Sequence, residues 1–230
     1  MATVHAGRET KGSRYHLQNL VNDEPDLFDL MILAASPTLI ASGATTFDWK
    51  SPLKANTPED HYHEYRDDFL SPLGLQMHEA RLRRFWPKNG PQWDALASFS
   101  ISGAKACLLV EAKAYPEEAN SDSSATAPES ISTIKKAFSA TQAYMGISQT
   151  DWTVGHYQLA NRLAFLYFLC VEVEVPAWLV LVNFVNDTTH RPTDLPTWLE
   201  AYGRLFASLG VTPETKLMNR IVTLFPVVTE

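Results

Sequence analysis

Asp94, Glu111 and Lys113 are the residues of this chain whose types and spacing are suited to chemistry. Trp93 to Phe99 is a short, largely apolar run; Ser102-Gly103 supplies a tight turn, and Ala106 to Val110 leads straight into Glu111. This pattern is that of a β-hairpin. With Ser102-Gly103 as its loop, Ile101 faces Ala104, and the same register sets Asp94 directly across from Glu111. The strand period of two places Lys113 on the face that carries Glu111. Opposed carboxylates have Cβ atoms about 5 Å apart and repel, so two acids at the end of an apolar strand call for a cation. A hard divalent ion such as Mg²⁺ or Mn²⁺ takes one or two carboxylates together with waters and phosphate oxygens. Asp94 and Glu111 meet that need, with the Ala112 carbonyl lying between Glu111 and Lys113. The lysine is then placed to orient or deprotonate an attacking water, and the metal to polarise a phosphoryl oxygen. The bland alternative is a surface Lys113–Glu111 pair beside a solvated Asp94, which is nearly neutral in energy.

The elements that must position these groups fit one soluble domain spanning 1–230. The 230 residues are 45% hydrophobic and 20% charged, the composition of an ordinary globular protein. Cys107 and Cys170 sit in apolar runs and read as reduced core thiols, in keeping with a cytoplasmic setting and too few for a cysteine zinc site. Met1 to Arg14 lacks the apolar core of a signal peptide. Leu27 to Ile40 is interrupted by Asp29 and Pro37 and is too short to cross a membrane. The net charge of −7 lowers the expectation of non-specific nucleic-acid binding without excluding a local basic groove.

Along the chain, residues 14–35 have helical spacing, broken at Pro25. Phe47 to Pro52 is an aromatic and charged patch with the makings of a short strand. Residues 60–86 read as helix, interrupted near Ser71 to Gly74. Within that helix His61 and His63 point to different faces, which disfavours a metal site. Arg81, Arg83 and Arg84 form the densest basic cluster, either a solvated helix end or a phosphate contact. Residues 117–130, small, polar and acidic, read as a mobile loop. A helix capped by Ser130 or Ser132 runs to about Met145, and a stronger one runs from Trp152 to Cys170. The latter has a core stripe of leucines and, on the other side, the polar patch Gln158, Asn161 and Arg162. Trp178 to Val185 reads as a central strand buried on both faces, Leu195 to Leu209 as a helix, and Ile221 to Phe225 as a last strand.

Asp94, followed after sixteen residues by Glu111-Ala112-Lys113 at the end of an apolar strand, resembles the PD-(D/E)XK nuclease superfamily, the restriction-endonuclease-like fold. The order helix, hairpin, helix, apolar strand agrees over roughly residues 75–186. The resemblance implies an α/β (α+β) core, a central mixed β-sheet flanked by helices, with residues 1–60 as an N-terminal elaboration. It implies Mg²⁺-dependent phosphodiester hydrolysis, with Asp94 and Glu111 as metal ligands and Lys113 as the catalytic lysine. An acid on the helix before the hairpin often contributes, and Glu79 is the matching candidate. Gln158 fits the polar position on the helix that follows. The sequence departs from the pattern in two places: Trp93 stands where the family has Pro, and no first strand of the meander is visible between Trp86 and Trp93.

Two function classes follow. One is a metal-dependent nuclease acting on DNA; the other is a catalytically inactive module on the same fold, working as a homodimer or with a partner protein. No Gly-x-Ser-x-Gly elbow, phosphate-cradling glycine loop or His-Glu-x-x-His pattern competes.

Overall fold

The hairpin forms as its sequence requires. In the computed structural model, which describes residues 3–55 and 61–229, strand β4 (Ala95–Ile101) pairs antiparallel with β5 (Ala104–Lys113), Ile101 facing Ala104 and Ala95 facing Val110. Ser102 and Gly103 both adopt positive φ at the turn, the conformation a two-residue hairpin loop demands.

Around this hairpin lies a five-stranded mixed sheet with order β2-β4-β5-β6-β7. Strand β2 (Asp48–Ser51) adds antiparallel to β4, while β6 (Ala177–Asn183) and β7 (Ile221–Leu224) add parallel on the other side. β2 thus lies antiparallel beside β4 and comes from upstream of the span between Trp86 and Trp93, where the sequence shows no strand. The aromatic patch makes it: Trp49 stacks on Phe28 at 4.7 Å between ring centroids, and Asp29 accepts from the Trp49 indole. β6 is buried at every position, as a parallel strand covered on both faces must be.

Alternation along the strands divides the core in two. Leu96, Cys107, Leu109, Leu179 and Leu181 face one side, where α5 (Pro128–Met145), α6 (Tyr157–Tyr167) and α7 (Leu195–Ser208) pack. Ala95, Ala97, Leu108, Val110 and Val180 face the other, covered by α1 (Gly12–Asn22), α2 (Pro25–Ala34) and α3 (Pro37–Ala41). Residues 12–51 thus supply one of the two helical layers and an edge strand of the sheet. Among the described residues no helix is long and apolar enough to cross a membrane.

Several expectations fail locally. The expected helix over 60–86 starts outside the described residues, and His61–Glu64 is strand β3, paired antiparallel with β1 (Thr3–Ala6). Tyr62 and Glu64 are buried and His63 is partly exposed, a period of two that the surrounding acids disguise. Turns follow, then a short 3₁₀ turn and α4 (Glu79–Phe85), the only α-helical part of that stretch. Residues 117–130, the expected mobile loop, are exposed along much of their length and carry some local structure. Pro116–Ala119 forms a 3₁₀ turn, and the Ser121 and Ser123 amides donate to the Gly155 and Thr153 carbonyls at 2.9 and 2.8 Å. α5 starts at Pro128, two residues before Ser130, because proline is suited to the first helical position. α6 starts at Tyr157 instead of Trp152, whose indole is drawn into the core to donate to the Leu209 carbonyl at 3.2 Å.

Candidate active site

The regular β4–β5 ladder stops at Ala95 and Val110, one pair short of the two acids. Past that point Asp94 does not lie flat against Glu111. Its Oδ2 accepts the Ala112 N–H at 2.8 Å, and the Ala112 backbone lines the pocket between Glu111 and Lys113. Glu111 is 5% exposed and held by cations on both oxygens. Lys113 Nζ donates to Oε1, and Arg162 Nε donates to Oε2 at 2.7 Å. Lys113 is where the strand period places it, on the face of Glu111 and itself buried.

Arg162 is the residue around which this corner closes. It extends from α6, donates to the Gln92 carbonyl at 2.8 Å and to Asn161 Oδ1 at 2.7 Å, and lies 4.8 Å from the centre of the Trp93 ring. Trp93, at the position where the PD-(D/E)XK pattern has proline, thus supplies a π-face for a buried guanidinium. Gln158, one turn earlier, lines the same pocket, its amide N–H donating to Ser121 Oγ at 2.9 Å.

The two carboxylates have opposite electrostatics. Burial opposes the charge on Glu111, but Arg162 and Lys113 outweigh it and hold the carboxyl below its usual value. Asp94 has only partial compensation. Removal from water and then the Glu111 charge push its carboxyl up to about 7, against Lys113 and the Ala112 amide. Glu64 adds to this rise.

Glu79, in contrast, is exposed in the first turn of α4 and off the pocket wall. The additional acid whose charge reaches Asp94 is Glu64 on β3. It is fully buried, accepts from Arg14 Nε at 2.8 Å, and accepts from the Gln92 side-chain amide. Nothing in the local sequence marks Glu64 as part of this network except the polar–apolar alternation of β3. Arg14 and Arg66, which also line the pocket, carry no sequence signal at all. The α4 arginines Arg81, Arg83 and Arg84 are exposed and lie outside it.

These groups surround an open cavity of about 540 Å³, with Asp94, Glu111, Ala112 and Lys113 along one wall and Arg14, Arg66 and Gln158 among the other lining residues. Among the described residues no three His, Cys, Asp or Glu side chains are grouped to hold a metal. Among the described residues the carboxylates lining the cavity are Asp94, Glu111 and Glu118; Glu118 Oε2 accepts the Ala114 N–H at 2.7 Å, and Asp94 with Glu111 offers a hard oxygen set of the size Mg²⁺ accepts when waters complete its octahedron. Of the two acids, Asp94 is the less compensated. Compared with known proteins, the chain matches no family model, no curated protein and no solved structure.

Proposed function

We propose that the chain is a divalent-metal-dependent nuclease of the PD-(D/E)XK kind that hydrolyses phosphodiester bonds in DNA. The observation that carries this reading is the convergence of Asp94, Glu111 and Lys113 on one pocket wall, with arginines and a glutamine around the same cavity. The sheet supports it: an antiparallel meander β2-β4-β5 followed by helices and a parallel β6 is the order the resemblance implies.

Mg²⁺ or Mn²⁺, when bound, offsets the paired carboxylate charges and polarises a water and a phosphoryl oxygen. Asp94 and Glu111 hold it, and Arg162 fixes Glu111 through Oε2 so that the carboxylate keeps one orientation. Lys113, hydrogen-bonded to Oε1, is a flexible point charge that can be released from Glu111. Its ammonium then orients the attacking water and balances the charge developing on the phosphate. Gln158 offers a neutral donor to a non-bridging oxygen, and Arg14 and Arg66 meet phosphates farther along the strand. Cys107 and Cys170 are free thiols, which suits a reducing, cytoplasmic setting.

One observation favours a second reading. Both Glu111 oxygens are already satisfied by Lys113 and Arg162, as in a module that has exchanged its metal for fixed cations and acts through a partner protein or a second copy. Cleavage of labelled DNA with Mg²⁺ or Mn²⁺ separates the two. The nuclease reading expects activity that falls by about 100-fold or more in folded Asp94→Ala and Lys113→Ala variants. Activity that persists in both overturns it, and no turnover by the wild type with either metal supports the module.

A further inference from the structure

We infer that the nucleic acid is taken as a single strand, threaded between two joined cavities with a base stacked on Tyr157. The inference rests on the nuclease reading for the identity of the ligand and adds to it the form of the substrate.

A second cavity, of about 270 Å³, adjoins the candidate active site. Tyr157 lines both. The loop after β5 runs along the pair, contributing Ser121 to the first and Ser124 to Ala127 to the second. That loop is held to the start of α6, where the Tyr157 amide donates to the Ser121 carbonyl at 3.0 Å and the Gly155 amide to Asp122 Oδ1 at 2.6 Å. The ring of Tyr157 is partly buried against the core and meets Phe138 edge-on at 5.9 Å. The result is a packed aromatic at the junction of two polar clefts, beside Gln158.

The polarity of the path argues for an unpaired strand over a duplex. Duplex binding is dominated by phosphate neutralisation across a broad basic surface. Here the chain has a net charge of −7, and its densest arginine cluster, on α4, lines neither cavity. The cations of the path are local: Arg14, Arg66, Lys113 and Arg162 line the first cavity and Lys88 the second, where Asn89, Ser124 and Thr126 supply neutral donors and acceptors. A cationic groove together with an aromatic ring on which bases stack is the means by which proteins hold single strands. Both cavities are also of small-ligand scale, at or below the roughly 300–1,000 Å³ of pockets that enclose one compact ligand.

The test is fluorescence anisotropy with a labelled twelve-nucleotide DNA, single-stranded or annealed, the two compared at each step of one salt series in EDTA, so that binding is read without cleavage. The expected result is single-strand binding about 10-fold or more tighter than duplex binding. Tyr157→Ala is expected to lose about 10-fold in single-strand affinity, and Tyr157→Phe, which keeps the π-face, to recover most of it. Equal or tighter duplex binding overturns the inference, as does unchanged single-strand affinity in a folded Tyr157→Ala protein. Should that variant fail to fold, Lys88→Ala, at an exposed position, is expected to weaken single-strand binding and flatten its salt dependence by about one phosphate contact. Unchanged behaviour there overturns it equally. A parallel Mn²⁺ cleavage assay keeps the two readings apart. Cleavage without single-strand preference sinks only the strand path, and single-strand binding that depends on Tyr157 without any cleavage sinks only the nuclease.

Discussion

Glu64 on β3 and Glu111 on β5 are both carboxylates withdrawn from water, and each accepts from an arginine. Their surroundings nevertheless make them different groups. Glu64 is fully buried and meets Arg14 and the Gln92 amide, partners that tie β3 to α1 and to the segment leading into the hairpin. Glu111 sits in the wall of an open cavity, with a rigid guanidinium on one oxygen and a lysine on the other. A guanidinium fork and an amide fix a carboxylate in place, whereas an ammonium on a flexible stem can leave it for another ligand. A buried acid is structural when its partners close around it, and available for chemistry when one of them can exchange.

That difference can be broken or sharpened by mutation. The largest effect is expected at Glu111, because Glu111→Gln leaves Arg162 and Lys113 buried beside each other with only Asp94 as a neighbouring counter-charge. Urea denaturation should show a loss of about 3–5 kcal/mol. Glu64→Gln should cost about 1–2 kcal/mol, since Arg14 is partly exposed and still reaches Glu9 at 3.2 Å. A larger cost at Glu64 than at Glu111 contradicts the assignment of roles. Next comes metal linkage. Mn²⁺ at 100 times its dissociation constant should stabilise the wild type by about 2.7 kcal/mol in a thermal melt. Glu64→Gln should keep that shift and Glu111→Gln should lose it.

Asp94 gives a pH signature in the metal-free protein. Its carboxyl is raised in the folded state to about 7 from 3.8, so between these values the native state holds a proton that the unfolded chain has released. The contribution of this group to stability therefore falls as pH rises from about 4 to 7 and is level above that. In EDTA, Asp94→Asn keeps an acceptor for the Ala112 N–H and removes the charge, so it should match the wild type at low pH and exceed it at pH 8. A variant less stable than the wild type at pH 8 refutes the charge conflict. The smallest effect is expected at exposed Glu79, where Glu79→Ala should change stability by less than about 0.5 kcal/mol and leave the Mn²⁺ shift intact.

How much of this was legible in the sequence depended on whether the signal was local. The hairpin register followed from Ser102-Gly103 and the apolar alternation around it, and the placement of Lys113 beside Glu111 followed from the register. β6 and α7 were plain for the same reason, one as a continuous apolar run and the other as a helical stripe closed by Gly210. β3 was not, because its alternation spans only four residues rich in histidine and acid, and its inward positions, Tyr62 and Glu64, are decided by pairing with distant β1. The aromatic patch suggested β2 as a strand but not its pairing with β4, which lies far along the chain. At the site, Arg162 stood out only as part of a polar helix face; its partner Glu111 lies 51 positions earlier. Arg14, Glu64 and Gln92 come together only through the fold, and Glu79 was chosen by analogy with helix order and lies elsewhere.

The proposed site for a divalent cation is formed by Asp94 and Glu111, and calorimetric titration of Mn²⁺ into the metal-free protein tests it. The expected result is one bound ion per chain in the wild type and none at the same concentrations in a folded Asp94→Asn variant. An identical isotherm for the two proteins, or no Mn²⁺ binding by the wild type at millimolar concentration, contradicts it.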